Sequence, residues 1–480
     1  MREVAMRALD TAKQRGASYA DVRIVRFKSE SVVVRNKNVE GLTADESLGF
    51  GVRVIVDGFW GFAASHKMTL DGAAATAAEA VRVAKASGSV RGPQADIGPP
   101  QSVSGSYRTP VQRDPFAVSL DDKIALLLRV NETMAQVPNI VSAEGNLYCQ
   151  REDKIFASTE DAYIEQELYE TGCGIEVTAV DEGDVQNRSY PNSGSRHQAT
   201  EGWEFVERYD LPGNALRVAE EASALLRAKS MAPGTTTVIL DGSQVALQIH
   251  ESCGHPIELD RVLGTEAAFA GMSFLTTDKL DNFQYGSEHV NMTADATIPG
   301  GLGTFGFDDE GVPAQRTPIV REGRFMGYLT SRETAASLGQ RSNGAMRASG
   351  WNRIPLIRMT NVSIEPGAWT LADMIADTDD GIYMETNRSW SIDDKRLNFQ
   401  FGTEVGREIK HGKLGDLVKN PTYTGITPRF WGSCDAVGNR DEWVVWGTPN
   451  CGKGQPEQVA HTGHGAAPAR FRNVQVGLMK

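Results

Sequence analysis

At 480 residues the chain is longer than one ordinary hydrophobic core, so two or more domains are expected. Its 40% apolar and 23% charged residues exclude a disordered or fibrous chain. The 49 basic against 62 acidic residues, net −13, leave no basic patch of the kind nucleic-acid binding needs. There is no apolar run long enough for a membrane span or a secretion leader, and five cysteines (149, 173, 253, 434, 451) are too few and odd in number for a disulfide framework, so a cytoplasmic protein is expected.

In chain order, MREVAMRALDTAKQRG reads as an amphipathic helix stopping at Gly16, followed by short strands at 21–27 and 30–35. The segment 49–65 reads as two strands around Asp57-Gly58, the sequence of a type I′ hairpin. An Ala-rich helix over 69–86, a Gly/Pro/Ser-rich surface connection over 87–115 and a helix opening at Ser119 come next. Strand material fills 139–180, residues 185–205 are polar and turn-rich, and a helix over 213–229 breaks at Met231-Ala-Pro-Gly.

The texture then changes to short strands, frequent glycines and two or three helices. The expected organisation is α+β in two domains: residues 1–230, helices on a largely antiparallel sheet, and residues 231–480, strand-rich and carrying the helix with the motif described next. Thr235–Leu240 is a β-branched run, and Ser243 is placed to cap the helix that follows.

That helix carries His250-Glu251-Ser252-Cys253-Gly254-His255. Two neutral imidazoles can hold a zinc ion, and an adjacent carboxylate can take a proton from a water there. The histidines are five positions apart, which on a regular helix separates them by about 140° around the axis. A widened turn would bring them together. Gly254 would ease it, and Pro256 ends the helix. A catalytic zinc takes a third protein ligand, and spacing leaves Cys253, Glu258, Asp260, Cys434, Cys451, His461 and His464 open.

Beyond HESCGH, the segments 307–335, RMTNVSIEPG (358–367), DGIYMET (380–386) and NCGKGQP (450–456) resemble the TldD/PmbA family of metallopeptidases, also labelled modulators of DNA gyrase. The likeness is to TldD-like members that keep the zinc motif. It implies Zn²⁺ held by His250, His255 and Cys451, with Glu251 catalytic, and an enzyme that hydrolyses small or unfolded peptides. It also implies a dimer, either of this chain or with a PmbA-like subunit lacking the motif. The strand-rich C-terminal half further suggests that an extended peptide binds by strand addition.

Two other readings compete: a hydrolase built on Cys253, which needs a lowered thiol pKa, and a peptide-binding or regulatory module with a structural zinc, which needs a fourth ligand such as Cys253 or His464. The stretch 299–311 reads as strand-turn-strand, Asp308-Asp309-Glu310 as a solvated acidic turn, and His461 and His464 as a mobile or turn-bound pair.

Overall fold

The computed structural model describes residues 1–90 and 92–477. Its N-terminal half is built on long paired strands. β1 (Tyr19–Arg35) pairs with β2 (Asn38–Val56) and β5 (Ile140–Ser158), and β5 pairs with β6 (Tyr163–Asp181), all antiparallel. β3 (Phe59–Ser65) joins β2 through Asp57 and Gly58, whose φ values of 52° and 85° are those of the expected I′ turn. β1 is one continuous strand where the sequence suggested two, because Val32 and Val34 continue the alternation begun by Ala20, Val22 and Ile24.

The connection over 87–115 is not wholly irregular: β4 (Ser104–Arg108) pairs in parallel with β6. The polar stretch after β6 supplies β7 (Asp184–Tyr190) and β8 (His197–Ala199), both antiparallel to β6.

Alternation divides the work of this sheet. On one face Ala20, Val22 and Ile24 pack against α1 (Arg2–Gln14) and α2 (Leu70–Ser87). Further along the same face, Val32 and Val34 pack against α3 (Leu120–Met134) and α5 (Leu211–Leu225), which follows the short α4 (Glu204–Tyr209). The opposite face presents Asp21, Arg23 and Arg53 to the C-terminal half. There Asp309 meets Arg23 at 3.4 Å and Lys154 at 2.9 Å, and Glu310 meets Arg53 at 3.1 Å. The triplet 308–310 is therefore buried, not a solvated turn: its residues are at most 3% exposed, with Asp309 and Glu310 neutralised by bases from the other half and the Asp308 carboxylate accepting from the N–H groups of Glu310, Val312 and Met346.

The C-terminal half is strand-rich. The strands Asp380–Ile392, β10 (Gly234–Leu240), Ala469–Val476, Thr422–Ile426 and Asn398–Lys410 pair in that order, and the first also pairs with the last, so the five close into a ring. β9 (Lys229–Ser230) lies at the outer end of the same sheet beyond Lys413–Lys419. A four-stranded antiparallel sheet includes Met292–Asp295 and Val362–Ile364, and a separate hairpin pairs Val444–Lys453 with Gln458–Ala466.

Five α-helices occur among the described residues of this half, more than expected and all short. The longest, α6 (Gly242–Ile249), has eight residues. The 299–311 stretch does not form strand-turn-strand. It is irregular chain docked on β6 through Gln166 Oε1, which accepts from the Gly306 and Phe307 N–H groups. No helix among the described residues is long and apolar enough to cross a membrane.

Candidate metal centre

α6 leaves β10 through Asp241. The Asp241 carboxylate accepts from Ser243 N at 2.8 Å and Gln244 N at 3.2 Å, and its Oδ1 also accepts from Thr386 N at 3.1 Å. Asp241, not Ser243, is thus the cap, and it ties the helix to the neighbouring strand as well as satisfying its first N–H groups. The other end widens as the motif spacing requires: the His255 N–H donates to the His250 carbonyl, five residues back, at 3.2 Å. The two rings then meet edge to face, centroids 4.9 Å apart and planes at 88°. Gly254 serves this turn through space rather than backbone freedom, because a Cβ there would lie 2.1 Å from Met359 Sδ.

Cys451 arrives from the hairpin. Thr448 pairs with Thr462 and Cys451 with Ala460, so a bulge intervenes at Pro449-Asn450. Strict alternation from Trp446 and Thr448 would turn Asn450 toward the histidines. The extra residue in the bulge turns Cys451 there instead. Its Sγ lies 3.6 Å from His255 Nε2, about the separation of two tetrahedral zinc ligands. One donor atom from each of His250, His255 and Cys451 lies within 4.8 Å of the others, and all three residues are buried.

Burial drives the pKa of both histidines down, which favours the neutral, ligating form. Burial opposes ionisation of Cys451, but the neighbouring His255 ring and Arg358 guanidinium outweigh it and hold the thiol below its usual range. Two imidazoles and a thiol of lowered pKa form a donor set that fits zinc and leaves a fourth position free.

Behind the ligands stand residues that orient them. His255 Nδ1 lies 3.1 Å from Glu258 Oε2, so the carboxylate holds the ring with Nε2 toward Cys451. Lys453 Nζ reaches Glu258 at 3.4 Å and Asp260 at 2.7 Å. Glu258 and Asp260 are therefore supports rather than ligands. His250 Nδ1 meets His464 Nε2 at 2.8 Å. His464 and His461 are neither mobile nor in a turn: both lie on Gln458–Ala466, with side chains on opposite faces. His461 meets Glu170 Oε2 at 2.5 Å and lines a separate cavity of about 470 Å³.

Cys253 lies in the apolar core, 0% exposed, its thiol pushed up to about 12 by burial. It has neither the access nor the acidity of a nucleophile, so the Cys253 hydrolase reading fails. Cys434 is buried on its own strand and donates to the Ala436 carbonyl.

A cavity of about 260 Å³ opens beside the cluster, lined by His250, Glu251, His255 and Cys451 together with Trp390 and Trp446. Asn192 and Arg196 of the N-terminal half complete its wall. Glu251 forms an ion pair with Arg396. Arg396 is a residue the motif did not signal, since it sits in the turn between Asp380–Ile392 and Asn398–Lys410, far away in sequence.

The fold and the cluster together define an α+β protein with a buried His₂Cys donor set beside a carboxylate. Residues 20–84, 113–229 and 233–477 match the first, central and C-terminal domains of the PmbA/TldA metallopeptidases, and the chain belongs to this PmbA/TldD family. A metalloprotease of Methanocaldococcus jannaschii is 29% identical over 93% of this chain and 94% of its own length. A zinc metalloprotease TldD homologue of Saccharolobus solfataricus is 24% identical over 87% and 88%. Among solved structures, a Thermotoga maritima protein described as a modulator of a DNA gyrase shares the fold, with a TM-score of 0.79, 18% identity, and coverage of 99% of this chain and 100% of that one.

Proposed function

We propose that the chain is a zinc peptidase that hydrolyses small or unfolded peptides, with Glu251 as general base. The observation that carries this reading is the convergence of His250, His255 and Cys451 on one wall of the cavity that Glu251 also lines. Zinc, when bound, supplies Lewis acidity for the scissile carbonyl and for a water.

Glu251 takes the water's proton and returns it to the leaving amine, and Arg396 fixes the orientation of its carboxylate. Trp390 and Trp446 supply apolar walls for substrate side chains. The substrate class is supported by burial: His250, Glu251, His255 and Cys451 are 3–6% exposed, beyond the reach of a folded protein's backbone. Strand addition is supported by the bulge, which leaves Pro449-Asn450 without cross-strand partners beside the cavity. A structural zinc would need a fourth ligand, and the cluster among the described residues has three.

Glu251→Gln is expected to retain zinc and lose about 10²–10⁴-fold in peptide cleavage, whereas Cys451→Ala loses both. Metal analysis and a fluorogenic peptide assay measure this, and full cleavage by Glu251→Gln overturns the mechanism. The reading extends to a cytoplasmic dimer, of this chain or with a PmbA-like subunit. Light scattering of the chain alone and mixed with such a subunit checks it, and monomers in both samples overturn that part.

A further inference from the structure

The HTGHG segment (461–465) takes no direct part in the reading above, yet its second histidine sits against the site. Gln458–Ala466 turns Ala460, Thr462 and His464 to the face that Cys451 and Trp446 also occupy, by the pairings Cys451–Ala460 and Trp446–His464. The flanking glycines give this strand its depth. A Cβ on Gly463 would lie 2.1 Å from Asn361 Oδ1, and one on Gly465 would lie 1.8 Å from the Trp443 ring. Only glycine at both positions lets the backbone press in far enough to carry His464, 0% exposed, to the back of His250.

The hydrogen bonds around His464 have one self-consistent assignment. Its Nδ1 lies 2.9 Å from the Val362 carbonyl, which can only accept, so Nδ1 carries a hydrogen. Nε2 faces His250 Nδ1 at 2.8 Å and the Thr462 hydroxyl at 3.3 Å. With its one N–H given to Val362, the neutral ring presents Nε2 as an acceptor lone pair. His250 must then donate from Nδ1, which leaves its Nε2 as the unprotonated nitrogen.

We infer that His464 is a positioning residue that sets the tautomer and ring orientation of His250 for metal binding, anchored in turn by the Val362 carbonyl. The two ligand rings are thereby held by different chemistry: His255 by the carboxylate of Glu258 and His250 by a neutral imidazole. A carboxylate behind both would add negative charge to a site already holding a thiolate. The neutral relay orients His250 without that addition.

The inference rests on the zinc reading, and its test separates the two. Zinc affinity is measured by chelator competition for wild type, His464→Leu and His464→Gln, with thermal unfolding of each zinc-free chain as a control. His464→Leu is expected to bind zinc about 10–100-fold more weakly. His464→Gln is expected to recover part of that loss, since its amide can donate to Val362 and accept from His250. Zinc binding by His464→Leu as tight as wild type overturns the inference alone. Equal weakening in both variants overturns it too, because loss of the ring rather than of the acceptor would then be responsible. A wild-type chain that binds no zinc overturns the zinc reading itself. If His464→Leu fails to fold, His464→Gln against wild type decides: a loss greater than 100-fold despite its acceptor overturns the inference, and a smaller one supports it.

Discussion

Gly254 shows how one missing side chain holds the site together. The widened turn brings His250 and His255 together edge to face, and Met359 packs into the space where a Cβ would sit, 2.1 Å from its sulfur. Gly254→Ala forces the turn and Met359 apart, an overpacking cost of about 1–3 kcal/mol. The expected result is a lower unfolding midpoint together with weaker zinc binding, read by denaturant titration and chelator competition. A variant with wild-type zinc affinity would show that the turn tolerates a methyl group. Arg396 is the counterpart on the substrate side. Its backbone lies at φ 63°, unfavourable for a residue with a Cβ, and the ion pair with Glu251 is what that conformation delivers.

At the scale of elements, α6 is held at its start by a side chain that does more than local work. Asp241 caps its first turn and grips Thr386 of the adjacent strand, so the helix enters the cavity wall at a fixed angle. Asp241→Ala is expected to cost about 1–2 kcal/mol in stability, with Asp241→Asn retaining most of it, and thermal unfolding of the two variants measures the difference. The hairpin Val444–Lys453/Gln458–Ala466 is the second such element. One face carries Trp446, Cys451 and His464 to the metal centre, and the other carries His461 to Glu170 of β6. A single two-stranded ribbon thus joins the site to the N-terminal sheet.

At the scale of the molecule, polar contacts lock the halves together at several places. One joins Asp309 and Glu310 to Arg23, Arg53 and Lys154. Another is the partly buried Glu170–His461 pair, which has a pH signature. Burial opposes the charged ring, yet the Glu170 carboxylate, aided by Glu152 and against Arg347, outweighs it and holds His461 above its ordinary value. A pKa raised in the folded state stabilises fully below the unfolded value, about 6.5, and the contribution is lost as pH rises through the folded one. The gap in unfolding temperature between wild type and Glu170→Gln is therefore expected to narrow as pH rises from about 5.5 through that value. Thermal unfolding across a pH series measures it, and a gap that widens instead would mean that the pair is not ionic.

What the sequence determined by itself is local. Asp57-Gly58 dictates its turn because two residues at positive φ suffice, and His-Glu-x-x-x-His dictates a widened helical turn because no regular one brings those rings together. Residue chemistry also narrowed the third ligand to a few candidates, and the family likeness pointed to Cys451. Only the tertiary structure showed how that cysteine reaches the histidines, since strict alternation favours Asn450 until the bulge is seen. It also showed that Asp309 and Glu310 are buried against Arg23, Arg53 and Lys154 and that His464 stands behind His250. Each of these depends on partners more than a hundred residues away, as with His250 and His464, 214 positions apart. Backbone periodicity sets which face a side chain takes within its own element. What that face meets is decided by packing between elements, and local sequence does not encode it.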